Sequence, residues 1–356
     1  MGISKERTML EAISFCAIGQ TVSSIDQSRT LIVTDKRIQS LFGSAFPNCA
    51  VALVPEGESA KSWETLLELY GRCVALGVDR SWGILAIGGG TVSDIAGFLA
   101  HTWMRGIRFS VVPTTLLAMT DAALGGKNGI DFEGYKNLVG SFHLPDAIFC
   151  DIETLRTLDA TQFASGMAEV IKHAIIDGEG YFSFLEKALA TNCGEGYFDV
   201  GSCPAALLWR MVAESQRVKL SIVERDPKES GERRILNLGH SFGHAVEIVS
   251  GLPHGHAVSI GMALACSFST LRHGMKPEVA ERIGHLLAGY GLPIDAGALR
   301  LASKKVFWRR VKEALFMDKK REGGYMSLVI PQNIGAVKVE KIEMAEIEAF
   351  LDKVSP

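Results

Sequence analysis

Four histidines of this chain fall close together, at His240, His244, His254 and His256. His240 and His244 are four apart in Gly239-His-Ser-Phe-Gly-His244, so on a helix they share one face. Ser241 stands where a protease of the H-E-x-x-H type carries its general base, which argues against that chemistry. His254 and His256 lie in Leu252-Pro-His-Gly-His256, where the chain turns into a further helix. A catalytic zinc takes about three N or O ligands and keeps one position open. Two of these histidines and one carboxylate would complete such a set. The best carboxylate donor is Glu169, embedded in the apolar run Ala168-Glu-Val-Ile-Lys-His173. A carboxylate buried there needs a partner. Either a metal or Lys172, three residues on along the same helical face, satisfies that need.

A second feature is the run Gly83-Ile-Leu-Ala-Ile-Gly-Gly-Gly-Thr-Val-Ser-Asp94, which reads as strand, triple-glycine turn and helix start. Glycines admit a pyrophosphate close to the backbone, and a helix N-terminus offers unpaired N–H groups to it. The run is not the G-x-G-x-x-G fingerprint, and a plain structural turn explains it as well. Further polar residues stand at other expected strand ends: Asp35, then Glu58 and Lys61, then Thr114 and Thr115. Ligands of open α/β sheets bind beyond the carboxyl ends of the strands, so four successive ends of this kind favour a nucleotide. Cations cluster elsewhere, in Gly125-Gly-Lys127, Tyr135-Lys-Asn137, at Arg105, at Lys219, at Arg233 with Asn237, and at Lys319-Lys320. Solvated surface charge is the default for each. Their placement beside glycines and beside the histidines fits an anionic ligand, with lysine suited to phosphate and arginine to carboxylate.

These groups need elements to hold them. Thr30–Thr34, Ala50–Val54, Gly83–Ile87 and Phe109–Val112 are short and apolar, and read as buried parallel strands alternating with helices at 62–76 and 92–101. Beyond about Asp151 the pattern becomes helical, over 163–176, 205–224, 240–249, 256–272 and 276–290, with one β-rich piece at 325–330 after Gly323-Gly324. The expectation is an α/β N-terminal domain over 1–150 and a mainly α-helical C-terminal domain over 151–356. A net charge of −3 with no long basic run disfavours nucleic acid as a partner. No run is long enough to cross a bilayer, and Met9–Gly19 lacks the pattern of a signal peptide. Position 6 is Glu6, which disfavours myristoylation of Gly2. Seven cysteines without a C-x-x-C pair indicate reduced thiols and a cytoplasmic protein.

Taken in order, Gly88-Gly-Gly-Thr-Val-Ser-Asp-Ile-Ala-Gly97, Met104-Arg-Gly106, Val112-Pro-Thr-Thr-Leu-Leu117, Gly125-Gly-Lys127, Lys136-Asn137, Gly166-Met-Ala-Glu-Val-Ile-Lys172, Leu236-Asn-Leu-Gly-His-Ser-Phe-Gly-His244 and His254-Gly255 resemble the sugar phosphate cyclases, and among them the 3-dehydroquinate synthases. The likeness runs from about Asp35 to Gly335. It implies an NAD-binding α/β domain followed by a mainly helical metal- and substrate-binding domain, in a homodimer. It implies Glu169, His240 and His254 as ligands of a divalent metal, zinc or cobalt. It implies an NAD site formed by Asp35, Glu58, Lys61, Gly89, Gly90, Asp94, Thr114, Thr115, Asp121, Lys136 and Thr157. Lys127, Asn137 and Lys319 (or Lys320) would hold a substrate phosphate, with Arg105 reaching in from the second subunit. Lys172, Lys219, Arg233, Asn237 and His244 would meet the substrate's hydroxyls and carboxylate.

The implied substrate is 3-deoxy-D-arabino-heptulosonate 7-phosphate and the products 3-dehydroquinate and phosphate. NAD would take and return one hydride around a phosphate β-elimination and an intramolecular aldol closure. Several positions depart from the synthase pattern. His256 stands for a usual Glu, Asn128 for Thr, Tyr135 for Gly and Asp159 for Pro. None removes an implied ligand, but they leave an aminodehydroquinate synthase or a 2-epi-5-epi-valiolone synthase as alternatives. Arg233, Asn237 and His244 weigh against the valiolone type, and Lys127, Lys219 and Arg233 weigh against a metal-dependent alcohol dehydrogenase.

Overall fold

The computed structural model describes residues 9–192, 198–298, 303–317 and 324–354. It divides into two compact units, Met1–Leu158 and Asp159–Pro356. The sequence alone sets the boundary at 150/151. In the structure the 3-10 helix Ile152–Thr157 still belongs with the first unit, because Asp151 Oδ2 accepts from Ile18 N–H at 2.9 Å.

The first unit is built on six parallel strands in the order β1-β8-β5-β4-β2-β3, with β1 Ile13–Phe15, β2 Thr30–Asp35, β3 Ala50–Val54, β4 Gly83–Gly88, β5 Arg108–Pro113 and β8 Ala147–Cys150. Its helices are α1 Ile18–Ser23, α2 Lys36–Phe42, α3 Trp63–Leu76, α4 Gly90–Thr102 and α5 Leu116–Thr120. Successive strand residues face opposite ways, and the core is sorted accordingly. Leu31, Val33, Ile84, Ala86 and Val111 join one apolar cluster with Ile95 and Leu99 of α4. Ile32, Leu85, Ile87 and Val112 join another with Ile18, Val22 and Ile38. Both faces are covered, so these strands read as continuous apolar runs. The order reverses direction between β2 and β4, since β3 lies outside β2 while β5 lies on the far side of β4. Asp35, Gly88 and Pro113 end β2, β4 and β5 around that reversal.

The stretch that joins Gly125-Gly-Lys127 to Tyr135-Lys-Asn137, for which the sequence suggests no strand, is an antiparallel hairpin, β6 Lys127–Phe132 with β7 Tyr135–Phe142. Its two-residue turn is Glu133-Gly134, both with positive φ (49° and 79°), as a tight hairpin of matching twist requires. The strands escape notice in sequence because they carry glycines and polar residues rather than an apolar run.

The second unit holds α6 Ala160–Asp177, α7 Glu179–Thr191, α8 Ala205–Arg225, α9 His240–Ser250, α10 His254–Arg272, α11 Pro277–Gly289, α12 Lys304–Met317 and α13 Met344–Val354. The single β-rich piece acquires a partner: β9 Tyr325–Asn333 pairs antiparallel with β10 Ala336–Glu343. Phe242, Phe268, Trp308, Met326, Leu328, Ile330 and Phe350 form the core shared by this ribbon and its helices. Among the described residues no helix is long and apolar enough to cross a membrane.

Candidate active site

In the second unit, α6 opens with Asp159 as its N-cap, its carboxylate accepting from Gln162 N–H at 2.8 Å. Asp159 thus replaces a proline's rigidity with a side-chain cap. Two turns in, Glu169 is completely buried and Lys172 nearly so, on the shared face expected of an i,i+3 pair. Lys172 Nζ donates to Glu169 Oε2. Oε1 is buried and, among the described residues, has no hydrogen-bond partner. It faces His240 Nε2 at 3.6 Å and His254 Nε2 at 3.7 Å. Of the two partners considered for this carboxylate, Lys172 takes Oε2, and Oε1 is left facing the two imidazoles.

His240 begins α9 and His254 begins α10. Their approach to α6 depends on Gly255. A Cβ there would come within 2.6 Å of Ser165 Cα, so a larger residue would push α10 off α6. Gly255 N–H instead donates to Ser165 Oγ at 3.0 Å. The ligand atoms of Glu169, His240 and His254 all lie within 4.8 Å of one another. A buried carboxylate oxygen without a donor, opposed by two imidazole nitrogens, fits a divalent metal of the oxygen- and nitrogen-preferring kind. Burial would raise the Glu169 carboxyl, but Lys172 and the two histidines outweigh it and hold it well below the usual carboxylate range. Burial, with Lys172 beside it, pushes His240 down to about 3, so this ring is neutral and able to ligate.

On the His240 side of this centre lies a cavity of about 480 Å³, lined by Glu229, Asn237, His240, Ser241 and His244 among others. That volume suits a small polar metabolite. Asn237 donates to Glu229 Oε1 at 2.7 Å, and the His244 ring meets the His240 ring edge-on at 5.4 Å between centroids. Lys219 and Arg233 are both buried. Arg233 Nη1 donates to Pro227 O at 2.8 Å, while its N–H donates to Asp226 Oδ2 at 3.1 Å, fixing the turn that carries it. Burying three cations, Lys172, Lys219 and Arg233, in one unit is costly unless anions meet them. Two carboxylates not singled out from sequence stand beside site residues: Glu229 at Asn237 and Glu247 at His254. Glu247 was legible as the third residue, after His240 and His244, of an i, i+4, i+7 face of α9.

In the first unit, the expected nucleotide residues gather at the carboxyl end of the sheet. Gly89 and Gly90 are N-cap and first residue of α4, and Asp35 and Thr115 cap α2 and α5. Lys61 is buried and bridges Asp94 Oδ2 at 2.7 Å and Asn137 Oδ1, with Glu58 at 3.9 Å. Burial pushes the Asp94 carboxyl up to about 6 despite Lys61. Thr114 Oγ1 is buried and without a hydrogen-bond partner among the described residues, a polar atom available to a ligand. Asp121 ends α5. Thr157 stands apart from this set in its bonding: its hydroxyl donates to Thr154 O, and its carbonyl accepts from Arg37. Lys127, Lys136 and Asn137 all lie exposed on the hairpin, and Arg105 is exposed with a left-handed φ of 68°. Lys319 and Lys320 lie outside the described residues. His256, the departure from the synthase pattern, has a buried Nδ1 without a partner among the described residues.

Comparison with known proteins gives concordant matches. The family model "3-dehydroquinate synthase N-terminal" matches residues 51–165, and "3-dehydroquinate synthase C-terminal" matches residues 166–321. A 3-dehydroquinate synthase of Prochlorococcus marinus subsp. pastoris is 37% identical over 322 residues, covering 87% of this chain and 85% of that protein. One from Ruminiclostridium cellulolyticum is 35% identical over 341 residues, covering 92% and 90%. Among solved structures, 2-epi-5-epi-valiolone synthase from Streptomyces hygroscopicus subsp. jinggangensis, with NAD+ and Zn2+ bound, superposes with a TM-score of 0.81 at 26% identity, covering 99% of this chain and 98% of the other.

Proposed function

The chain belongs to the 3-dehydroquinate synthase family, and from that membership we propose that it converts 3-deoxy-D-arabino-heptulosonate 7-phosphate to 3-dehydroquinate and phosphate. The observation that carries this reading is the buried Glu169 Oε1, without a hydrogen-bond donor among the described residues and opposed by His240 Nε2 and His254 Nε2. In this reading those three residues hold a divalent metal, and Asp35, Glu58, Lys61, Gly89, Gly90, Asp94, Thr114, Thr115, Asp121, Lys136 and Thr157 hold NAD. When bound, the metal polarises a substrate oxygen and NAD+ accepts and returns a hydride, which gives a cyclisation without net redox change.

The chain's own side chains bind and orient. Lys172, Lys219 and Arg233 are buried cations that meet the substrate's anionic and hydroxyl groups, and burial strengthens each such contact. Arg233 enters that role with its position set by the Pro227 carbonyl, and Asn237 with its amide held by Glu229. Lys127, Asn137 and Lys319 take the phosphate, with Arg105 contributed by the second copy of a cytoplasmic homodimer. Asn137 is tied to the nucleotide residues through Lys61. Holding a flexible sugar acid at both ends is the main catalytic contribution of such a site. His256, standing where the synthases usually carry Glu, favours a second reading, another sugar phosphate cyclase.

Purified protein supplied with NAD+, Zn2+ and the heptulosonate phosphate should release phosphate with no build-up of NADH. Stoichiometric NADH would mark a dehydrogenase instead. Inactivity on this substrate with turnover of its amino analogue or of sedoheptulose 7-phosphate would move the assignment to the second reading.

A further inference from the structure

The two histidines of the centre are held from behind in different ways. His240 Nδ1 lies 3.2 Å from Leu238 O, a backbone carbonyl. His254 Nδ1 lies 3.1 Å from Glu247 Oε2. An acceptor at Nδ1 holds a proton on that side of the ring and leaves Nε2 as the nitrogen a metal would take, and in both rings Nε2 is the atom facing Glu169. A carboxylate behind a ligating histidine fixes both its tautomer and the angle of its ring.

We propose that Glu247 is the positioning residue of this centre, holding His254 so that Nε2 is aimed at the metal. The proposal rests on the reading of Glu169, His240 and His254 as ligands. His254 needs such support more than His240 does. It sits at the very start of α10, its side chain is 31% exposed, and among the described residues no backbone acceptor faces its Nδ1. Glu247 can supply it because it lies on α9 seven residues after His240, on the same helical face, and is itself 14% exposed. One helix therefore presents a ligand at one end and the brace of a second ligand two turns later. His244, Glu247 and His254 also lie close enough together to suggest a cation site of their own. The disposition of donors favours bracing. Glu247 already occupies the Nδ1 side of His254, while the buried oxygen lacking a donor is on Glu169.

The test measures Zn2+ affinity of the full-length, metal-stripped protein by chelator competition, together with the absorption spectrum of its Co2+ form. Glu247→Ala should weaken Zn2+ by about 10- to 100-fold and keep the wild-type Co2+ band positions, because the ligand set is unchanged. Glu247→Gln retains an acceptor oxygen of the same reach and should recover part of that loss. It also serves if the alanine variant fails to fold. Zn2+ affinity within about twofold of wild type in both variants overturns the proposal. So does a changed Co2+ spectrum with loss of binding as complete as in His254→Ala, which would make Glu247 a ligand. If His254→Ala itself keeps wild-type affinity, it is the underlying ligand reading that fails.

Discussion

Lys172→Met keeps the length and the apolar stem of the side chain but deletes its charge. Glu169 is then a completely buried carboxylate whose Oε2 has lost its donor and whose Oε1 had none among the described residues. Removing one partner of a buried pair typically costs about 3–5 kcal/mol, because the other charge stays behind with its nearest counter-charge gone. At roughly 2–4 °C per kcal/mol for a unit of this size, the metal-free variant should melt on the order of 6–20 °C lower. Scanning calorimetry of metal-stripped protein measures this. The double variant Glu169→Gln/Lys172→Met, with both charges gone, should be less destabilised than Lys172→Met alone. The pH dependence has a definite sign. Glu169 is held below its ordinary value in the wild type, so its contribution is present above the unfolded carboxyl pKa of about 4.3 and is lost as pH falls through the depressed folded value. Removing Lys172 takes away the largest of the influences that hold that carboxyl down, so its folded value rises toward the unfolded one and the deficit of the variant should shrink on acidification. A loss below about 1 kcal/mol in Lys172→Met, or a double variant no more stable than the single, refutes the reasoning.

Thr114→Val removes a buried hydroxyl that has no partner among the described residues, so stability should be unchanged or slightly higher. If that hydroxyl meets NAD, titration calorimetry should show affinity weakened by about two- to tenfold, the equivalent of one hydrogen bond. Gly261→Ala places a Cβ against Gly239 O and 2.7 Å from Gly243 N, wedging α10 away from α9. It should cost about 1–3 kcal/mol in urea denaturation and weaken Zn2+ binding, since His240 rides on α9. The Asp226 carboxylate accepts from the N–H groups of Gly231, Ser230 and Arg233, which pull it down to about 2. Its contribution is therefore present above the unfolded value of about 3.9 and is lost as pH falls toward 2, and Asp226→Asn should flatten that limb of a stability–pH profile.

The buried strands of the first unit were legible because a parallel sheet covered on both faces makes each strand a short apolar run, as in Thr30–Asp35 and Gly83–Gly88. The helix start at Ser62 was likewise written in a capping residue. The β6–β7 hairpin was not, since its residues carry no apolar alternation and its turn lies in backbone angles. For the site, residue types and spacing were enough to nominate the histidines, and an apolar setting was enough to require a partner for Glu169. Local pattern could not say which partner, because a carboxylate has two oxygens and each can meet a different element. Only the packing of α6 against the first turn of α10, permitted by the absent side chain of Gly255, gives Oε2 to Lys172 and leaves Oε1 to the two imidazoles. The pairing of Glu247 with His254 is of the same kind. It joins two helices across a turn, and no periodicity within either one encodes the distance between them.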